Sequence, residues 1–271
     1  MDIIIRENYE QMSKYAADII AECIQSKPDC VLGLATGSTP INTYRELVRM
    51  HKEEGLDFSH VKTFNLDEYY GIGIDFDKPY DVDQSYARFM HEELLKHINI
   101  KKENIYIPDG RTKEPKKFCA WYEEEIKKAG GIDLQLLGLG GDGHWAFNEP
   151  GSSLASRTRV IALTEQTLDD NYEAFYKKAN IRREDMPHFA ITMGIGTILE
   201  AKKILMIVNG SKKADVVAKC LEGPITSQIT SSAIHLHSGD VHVVLDEAAA
   251  SKLTQIKHYQ FIEKMKTYYR L

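Results

Sequence analysis

Short apolar runs alternate with longer stretches of helical period along the whole chain, and this alternation restricts the fold more than any other feature. Cys30-Val-Leu-Gly-Leu34 is apolar at every position, the pattern of a strand buried on both faces in a parallel sheet. Residues 2–6, 61–66, 105–107, 132–137, 159–163, 189–193, 204–208, 234–237 and 242–245 read as further strands. Helical period begins at Tyr9, where Met12, Tyr15, Ala16, Ile19, Ile20 and Cys23 share one stripe. It returns in residues 44–51, 85–97, 115–128, 165–178, 194–201, 211–221 and 252–269. No repeat, low-complexity run or Pro/Gly/Ser linker divides the 271 residues. The expected architecture is α/β: one domain with a doubly wound, mostly parallel sheet and helices on both faces, Rossmann-like.

Function classes are narrowed by charge and cysteine usage. A net charge of −6 leaves no electrostatic footprint for nucleic acid, and the pairs Lys101-Lys102 and Lys116-Lys117 read as solvated helix faces beside acids. The 4 cysteines (Cys23, Cys30, Cys119, Cys220) have no C-x-x-C spacing, which argues against a zinc knuckle or redox pair and for reduced thiols. His235 and His237 form a close pair with His242 beyond, but no third ligand follows at a zinc-like interval, so neither metal nor cofactor is expected. No window of 18 apolar residues and no charged leader with an apolar core is visible, so no membrane partner and a cytoplasmic location are expected.

Chemistry concentrates where the run 132–137 ends, in Gly138-Leu-Gly-Gly-Asp-Gly-His-Trp-Ala-Phe-Asn-Glu-Pro150. Asp142, His144 and Glu149 fall close together among glycines, which allow a tight turn and close approach of a substrate to the backbone. A carboxylate beside an imidazole fixes its tautomer and supports acid–base work, whereas a lone D-G-H would read as a solvated turn. Ala35-Thr-Gly-Ser-Thr-Pro40 places Thr36, Gly37, Ser38 and Thr39 between a strand and a helix N-terminus, a geometry that favours an anion such as phosphate. An ordinary capped helix start would need only one of those hydroxyls. The loop matches neither the nucleoside-triphosphate nor the dinucleotide glycine pattern. Asp67-Glu68-Tyr69 stands at the C-terminal end of the third strand, where open α/β sheets bind ligands. Lys213, in Gly210-Ser-Lys-Lys-Ala214, opens a helix after a strand and offers a second phosphate contact. Residues 71–84 are acidic and turn-rich but lack calcium-loop spacing, and read as a surface loop.

Taken together, Thr36-Gly-Ser-Thr-Pro40, Phe64-Asn-Leu-Asp-Glu-Tyr69, Gly138-Leu-Gly-Gly-Asp-Gly-His144, Ala146-Phe-Asn-Glu-Pro150, Ser153-Leu-Ala-Ser-Arg-Thr-Arg159 and Gly194-Ile-Gly-Thr197 resemble the glucosamine-6-phosphate deaminase/isomerase family. The resemblance runs in order from the first helix to Lys213 and is closer than that to 6-phosphogluconolactonases, which resemble A-S-L-F-P where this chain has Ala146-Phe-Asn-Glu-Pro150. It implies an amino sugar phosphate partner, ring opening, aldose–ketose proton transfer through an enolamine, and release of ammonia without a cofactor. It further implies that His144 shuttles the ring-opening proton, with Asp142 and Glu149 orienting it, and that Asp67 moves the proton from C2 to C1. Phosphate would lie on Gly37, Ser38 and Thr39 with Lys213 as its cation. Residues 159–187 would form a lid, Ser152 and Arg159 would fit an allosteric site, and a homo-oligomer is compatible with the family.

Departures from the pattern concern the substrate. Glu173 stands where the family resembles a phosphate-binding arginine, with Lys177, Lys178, Arg182 and Arg183 as nearby substitutes. Trp145 replaces a smaller aliphatic residue and is expected to reshape the pocket wall. Ile161 replaces a lysine of the regulated members, and the loop at residues 72–83 is longer than usual. The alternatives left open are an isomerase or deaminase of another amino sugar, and a non-catalytic sugar-phosphate sensor.

Overall fold

The computed structural model describes residues 1–72, 84–177 and 181–269, so the expected long loop at residues 72–83 lies almost wholly outside the described residues. The strands are β1 (Asp2–Arg6), β2 (Val31–Leu34), β3 (Lys62–Asn65), β4 (Asp67–Tyr69), β5 (Ile105–Tyr106), β6 (Leu134–Leu137), β7 (Arg159–Ala162), β8 (Phe189–Thr192), β9 (Lys203–Val208) and β10 (Asp240–Asp246). The helices are α1 (Tyr9–Ser26), α2 (Ile41–Glu54), α3 (Tyr86–Glu93), α4 (Pro115–Lys128), α5 (Glu165–Asn171), α6 (Ile195–Leu199), α7 (Ala214–Glu222), α8 (Glu247–Ala250) and α9 (Ile256–Tyr269).

β2 and β6 are buried at every position and pair in parallel on both sides, as both-face burial requires. Among the described residues the main sheet has 7 strands in the order β1-β10-β9-β6-β2-β3-β5, every pairing parallel. The chain winds outward from β2 through β3 to β5, then crosses back to β6 and winds the other way through β9 and β10. The reversal therefore falls between β2 and β6, where an open α/β sheet leaves a crevice at its carboxyl edge. Gly33 on β2 lets the buried Gln135 side chain of β6 lie against it, since a Cβ there would come within 2.0 Å of Gln135 Oε1. Helix α1 begins where Asn8 accepts a hydrogen bond from the Gln11 N–H at 3.0 Å, and buries Met12, Ala16, Ile20 and Ile24 against the sheet.

A second sheet, β4-β8-β7, is antiparallel and was not separated from the main sheet by pattern alone. It carries its own small core of Tyr69, Ile72, Phe147, Leu163, Leu168, Tyr176, Met186 and Ala190. The expected helix 165–178 is shorter: α5 ends at Asn171 and continues as a π-helical turn, Tyr172–Tyr176, that buries Tyr176 in this cluster. The expected strand 234–237 is a 3-10 segment, Thr230–Leu236. Its Ile-His-Leu-His alternation imitates a strand, yet Leu236 faces solvent, so the alternation does not separate an inside from an outside. Buried Thr230, Ser231 and Ser232 set the segment instead, with Thr230 Oγ1 donating to the Asn148 carbonyl at 2.7 Å and the Ser231 N–H to the Gly143 carbonyl at 2.9 Å. His235 and His237, freed from a strand face, bond through Nε2 to the carbonyls of Cys220 (3.1 Å) and Ala201 (2.7 Å). Among the described residues no helix is long and apolar enough to cross a membrane.

Candidate active site

Four neighbouring strands of the main sheet, β9-β6-β2-β3, each end in one of the segments singled out above. Lys213 follows β9, the Gly138–His144 loop follows β6, the Thr36–Thr39 loop follows β2, and Asp67 follows β3. Parallel order points all four carboxyl ends the same way, and they enclose a cleft of about 260 Å³ at the reversal point. Thr36, Gly37, Ser38, Thr39, Asp67, His144 and Lys213 all line it.

One end of the cleft is electropositive. Pro40 occupies the N-cap position of α2, and no side chain caps that helix. Apart from that of Asn42, which donates to the Tyr9 hydroxyl, the first amides of this 14-residue helix are left for a ligand, and its dipole favours an anion there. Gly37, with φ 101°, lets the loop turn over the helix end. The Tyr9 hydroxyl clamps the loop from behind, lying 3.0 and 2.9 Å from the Ser38 and Thr39 carbonyls and accepting from the Asn42 N–H at 3.2 Å. Thr39 Oγ1 donates to Asn209 Oδ1 at 2.9 Å, tying this loop to the end of β9. Lys213 reaches in from a 3-10 turn, Ser211–Lys213, and among the described residues its ammonium makes no ion pair. Burial depresses its pKa, with Asp142 and Asp170 opposing in part, so an anion placed here would restore the charge.

Asp67 sits opposite, only 5% exposed, and its carboxyl has neither a hydrogen bond nor an ion pair among the described residues. Burial, and then the charge of Glu68, push its pKa well above the usual carboxylate range. A carboxylate without donors in a cleft is a strong base. Tyr86 and Phe147 form the adjoining wall, their rings stacked with centroids 5.8 Å apart. Sequence reasoning missed Tyr86. The only local signal was a helix start at Ser85, and nothing in that signal says which side the first residue faces.

His144 and Asp142 meet in the loop after β6. The His144 Nδ1 lies 2.6 Å from Asp142 Oδ1 without making an aligned hydrogen bond to it. The His144 N–H donates to the same oxygen at 3.1 Å. Burial raises the Asp142 pKa, but the imidazole and the backbone contacts outweigh it and hold it below its ordinary value. The imidazole lies over Gly140, where a Cβ would come within 2.4–2.5 Å of ring atoms. Gly143 takes φ 91° with Ile229 and Val216 close by, and Ala146 takes a left-handed φ of 50°, uncommon for a residue with a Cβ.

Several expectations are corrected. The carboxylate of Glu149 does not reach His144; it accepts from the Thr164 N–H (2.9 Å), the Thr164 hydroxyl (3.0 Å) and the Thr167 hydroxyl at the start of α5. Three donors gathered at a helix N-terminus satisfy this buried carboxylate and hold it away from the imidazole. Trp145 is not part of the pocket wall. Its ring is fully buried in the main core, with Nε1 donating to Met206 Sδ on β9 at 3.4 Å, because a large apolar ring gains more from core burial than from a polar cleft. Glu173 is exposed and paired with Lys177 at 2.9 Å, so it presents no carboxylate to the anion end. Arg182 pairs with Asp185 and Glu184, and Arg183 with Asp169 and Glu165, which leaves Lys213 as the cation at the cleft; Lys178 lies outside the described residues. Ser152 and Arg159 do meet, with the guanidinium 3.2 Å from Ser152 Oγ and 2.8 Å from Asn148 Oδ1. They line a separate open cleft with Ile161 and Glu149.

Residues 6–243 match the family model for glucosamine-6-phosphate isomerases/6-phosphogluconolactonase. A glucosamine-6-phosphate deaminase of Thermoanaerobacter sp. (strain X514) is 48% identical over 251 residues, 93% of this chain and 94% of that protein. One of Clostridioides difficile (strain 630) is 46% identical over 262 residues, 97% of this chain and 100% of that one. The solved structure of a monomeric glucosamine-6-phosphate deaminase superposes with a TM-score of 0.85 at 44% identity, covering 93% of this chain and 100% of the other. A 6-phosphogluconolactonase from Trypanosoma cruzi shares the fold at TM-score 0.69 and 22% identity. On these matches, the chain belongs to the glucosamine-6-phosphate deaminase/isomerase family.

Proposed function

We propose that the protein converts glucosamine 6-phosphate and water to fructose 6-phosphate and ammonia. The observation that carries this reading is the placement of an uncapped helix end with Lys213 at one side of the cleft, facing a partnerless Asp67 and the His144–Asp142 pair. The phosphate would rest on the α2 amides and the Ser38 and Thr39 segment, with Lys213 as counter-charge. His144, held beside Asp142, takes the O1 proton and returns one to the ring oxygen, opening the ring. Asp67 then removes the C2 proton, giving an enolamine, and delivers a proton to C1. Water adds at the resulting C2 imine, and the nitrogen leaves as ammonia. Glu149 enters this scheme as the anchor of α5 and not as a partner of the imidazole, and residues 159–187, which include α5 and one strand of the small sheet, β7, as the candidate lid. The Ser152–Arg159 cleft is offered as the effector site that the family resemblance implies.

The deciding assay measures ammonia and ketose phosphate from glucosamine 6-phosphate, with the 4-epimer and unphosphorylated glucosamine alongside. Turnover of glucosamine 6-phosphate is expected; turnover of none of the three would refute the enzyme reading and favour the sensor. Lys213→Met isolates the phosphate end. Losing a buried charge-assisted contact of about 1.5–3 kcal/mol raises KM by about one to two orders of magnitude with a much smaller effect on kcat. An unchanged KM would show that Lys213 does not meet the phosphate.

A further inference from the structure

Asp67 and Glu68 are consecutive buried carboxyls on β4 with opposite surroundings. The Glu68 carboxylate sits in a cage of donors: Oε1 accepts from the Tyr69 N–H (2.9 Å) and the Tyr86 N–H (3.1 Å), and Oε2 from Ser85 Oγ (2.7 Å) and the Ala87 N–H (2.9 Å). Three of those donors belong to the start of α3, so one side chain ties β4 to the helix that presents Tyr86 to the cleft. Asp67 has no donor at all among the described residues.

We infer that Glu68 is a positioning residue for Asp67: its caged carboxylate holds the negative charge of the pair and fixes β4 on α3, leaving the partnerless carboxyl of Asp67 in the cleft as the stronger base. This rests on the deaminase reading for its role in turnover, though not for the coupling itself. Hydrogen bonds to the charged form favour ionisation, and a like charge next door disfavours it, so two adjacent carboxyls in unequal surroundings separate into an earlier and a later acid. Burial lifts Glu68 to about 7, with its four donors opposing, and burial and then the charge of Glu68 push Asp67 well above its ordinary value. The other groups around the pair do not reverse this. Tyr69, Tyr86, Tyr122 and Tyr176 are phenols pushed upward by burial, and β8 places uncharged Ile191 and Thr192 opposite. His144 and Lys213 line the same cleft as Asp67 from the far side, and both are unchanged in the variants below.

The test follows carboxyl ¹³C titrations in aspartate- and glutamate-labelled full-length protein, beside the pH profile of ammonia release. In Glu68→Gln the Asp67 midpoint is expected to fall by about one pH unit or more, and the acid limb of kcat/KM to move down with it. A purely structural Glu68 would lower Tm and leave both unmoved, which would overturn the inference. Ser85→Ala, a milder change that removes one donor, is expected to raise the Glu68 midpoint; if Glu68→Gln does not fold, an unmoved Glu68 midpoint in Ser85→Ala overturns the inference. The titrations need no turnover, so wild-type protein that releases no ammonia would refute the deaminase reading while the coupling is still decided.

Discussion

Asp67→Asn is expected to cut ammonia release by about two to four orders of magnitude while making the fold more stable at neutral and alkaline pH. Both effects come from one fact, a buried carboxyl with no donor or counter-charge among the described residues. The amide keeps the shape but cannot take the C2 proton, so exchange of that proton with solvent should vanish as well. The stability effect has a definite sign. Burial and Glu68 raise the folded-state pKa of Asp67 above its unfolded value of about 3.9, so the folded protein holds a proton that the unfolded chain releases. Stability from this group is complete below the unfolded pKa and is lost as pH rises through the folded one. Asparagine has no such loss, so the Tm difference between variant and wild type should be small near pH 4 and grow toward pH 8. Paired thermal melts across that range, beside C2 proton exchange in deuterated water, check both halves. Retained exchange would remove Asp67 as the base, and a variant less stable than wild type at pH 8 would mean that its carboxyl has a partner.

Much of this site could be read in the chain because its parts are local. A strand, a glycine loop and a helix start are contiguous, so Thr36–Thr39 and Asp142–His144 could be placed on the carboxyl edge of a sheet from pattern and composition. That β9, β6, β2 and β3 are neighbours is a property of winding order, and only the structure shows why Lys213 and Asp67 share a cleft. Where side-chain direction decided the outcome, pattern was insufficient. Trp145 and His144 are adjacent in a loop of irregular φ, so no period says that one enters the core and the other the cleft. Proximity in sequence groups Glu149 with His144, but donors at the start of α5, brought in by the fold, take its carboxylate. The three-residue β4 has no period of its own, and its pairing with β8 depends on a segment more than 120 residues later in the numbering.

Gly140→Ala should disable ring opening while sparing both the fold and the phosphate end. Gly140 does not need a left-handed backbone, so alanine brings no conformational penalty at that position. The added Cβ would meet Nε2, Cδ2 and Cε1 of His144 at 2.4–2.5 Å, distances that carbon atoms do not tolerate. The ring is the movable partner, because the Gly140 N–H is fixed to the His144 carbonyl at 2.9 Å. Moving it breaks the 2.6 Å contact with Asp142 Oδ1 and takes the imidazole off the position from which it would serve O1 and the ring oxygen. A displacement near 1 Å costs about a hundredfold where proton transfer depends on alignment, so kcat should fall by about that much or more. Circular dichroism and Tm should stay near wild type. An open-chain amino alditol phosphate, which needs no ring opening, should bind as it does to wild type, since the α2 amides and Lys213 are untouched. His144→Gln provides the comparison: if ring opening is the step that both changes block, the two variants should lose similar activity, and combining them should cost little more than either alone. Normal turnover in Gly140→Ala would mean the imidazole works from a position other than the one seen here, and loss of alditol binding would mean the Gly138–His144 loop holds the phosphate as well.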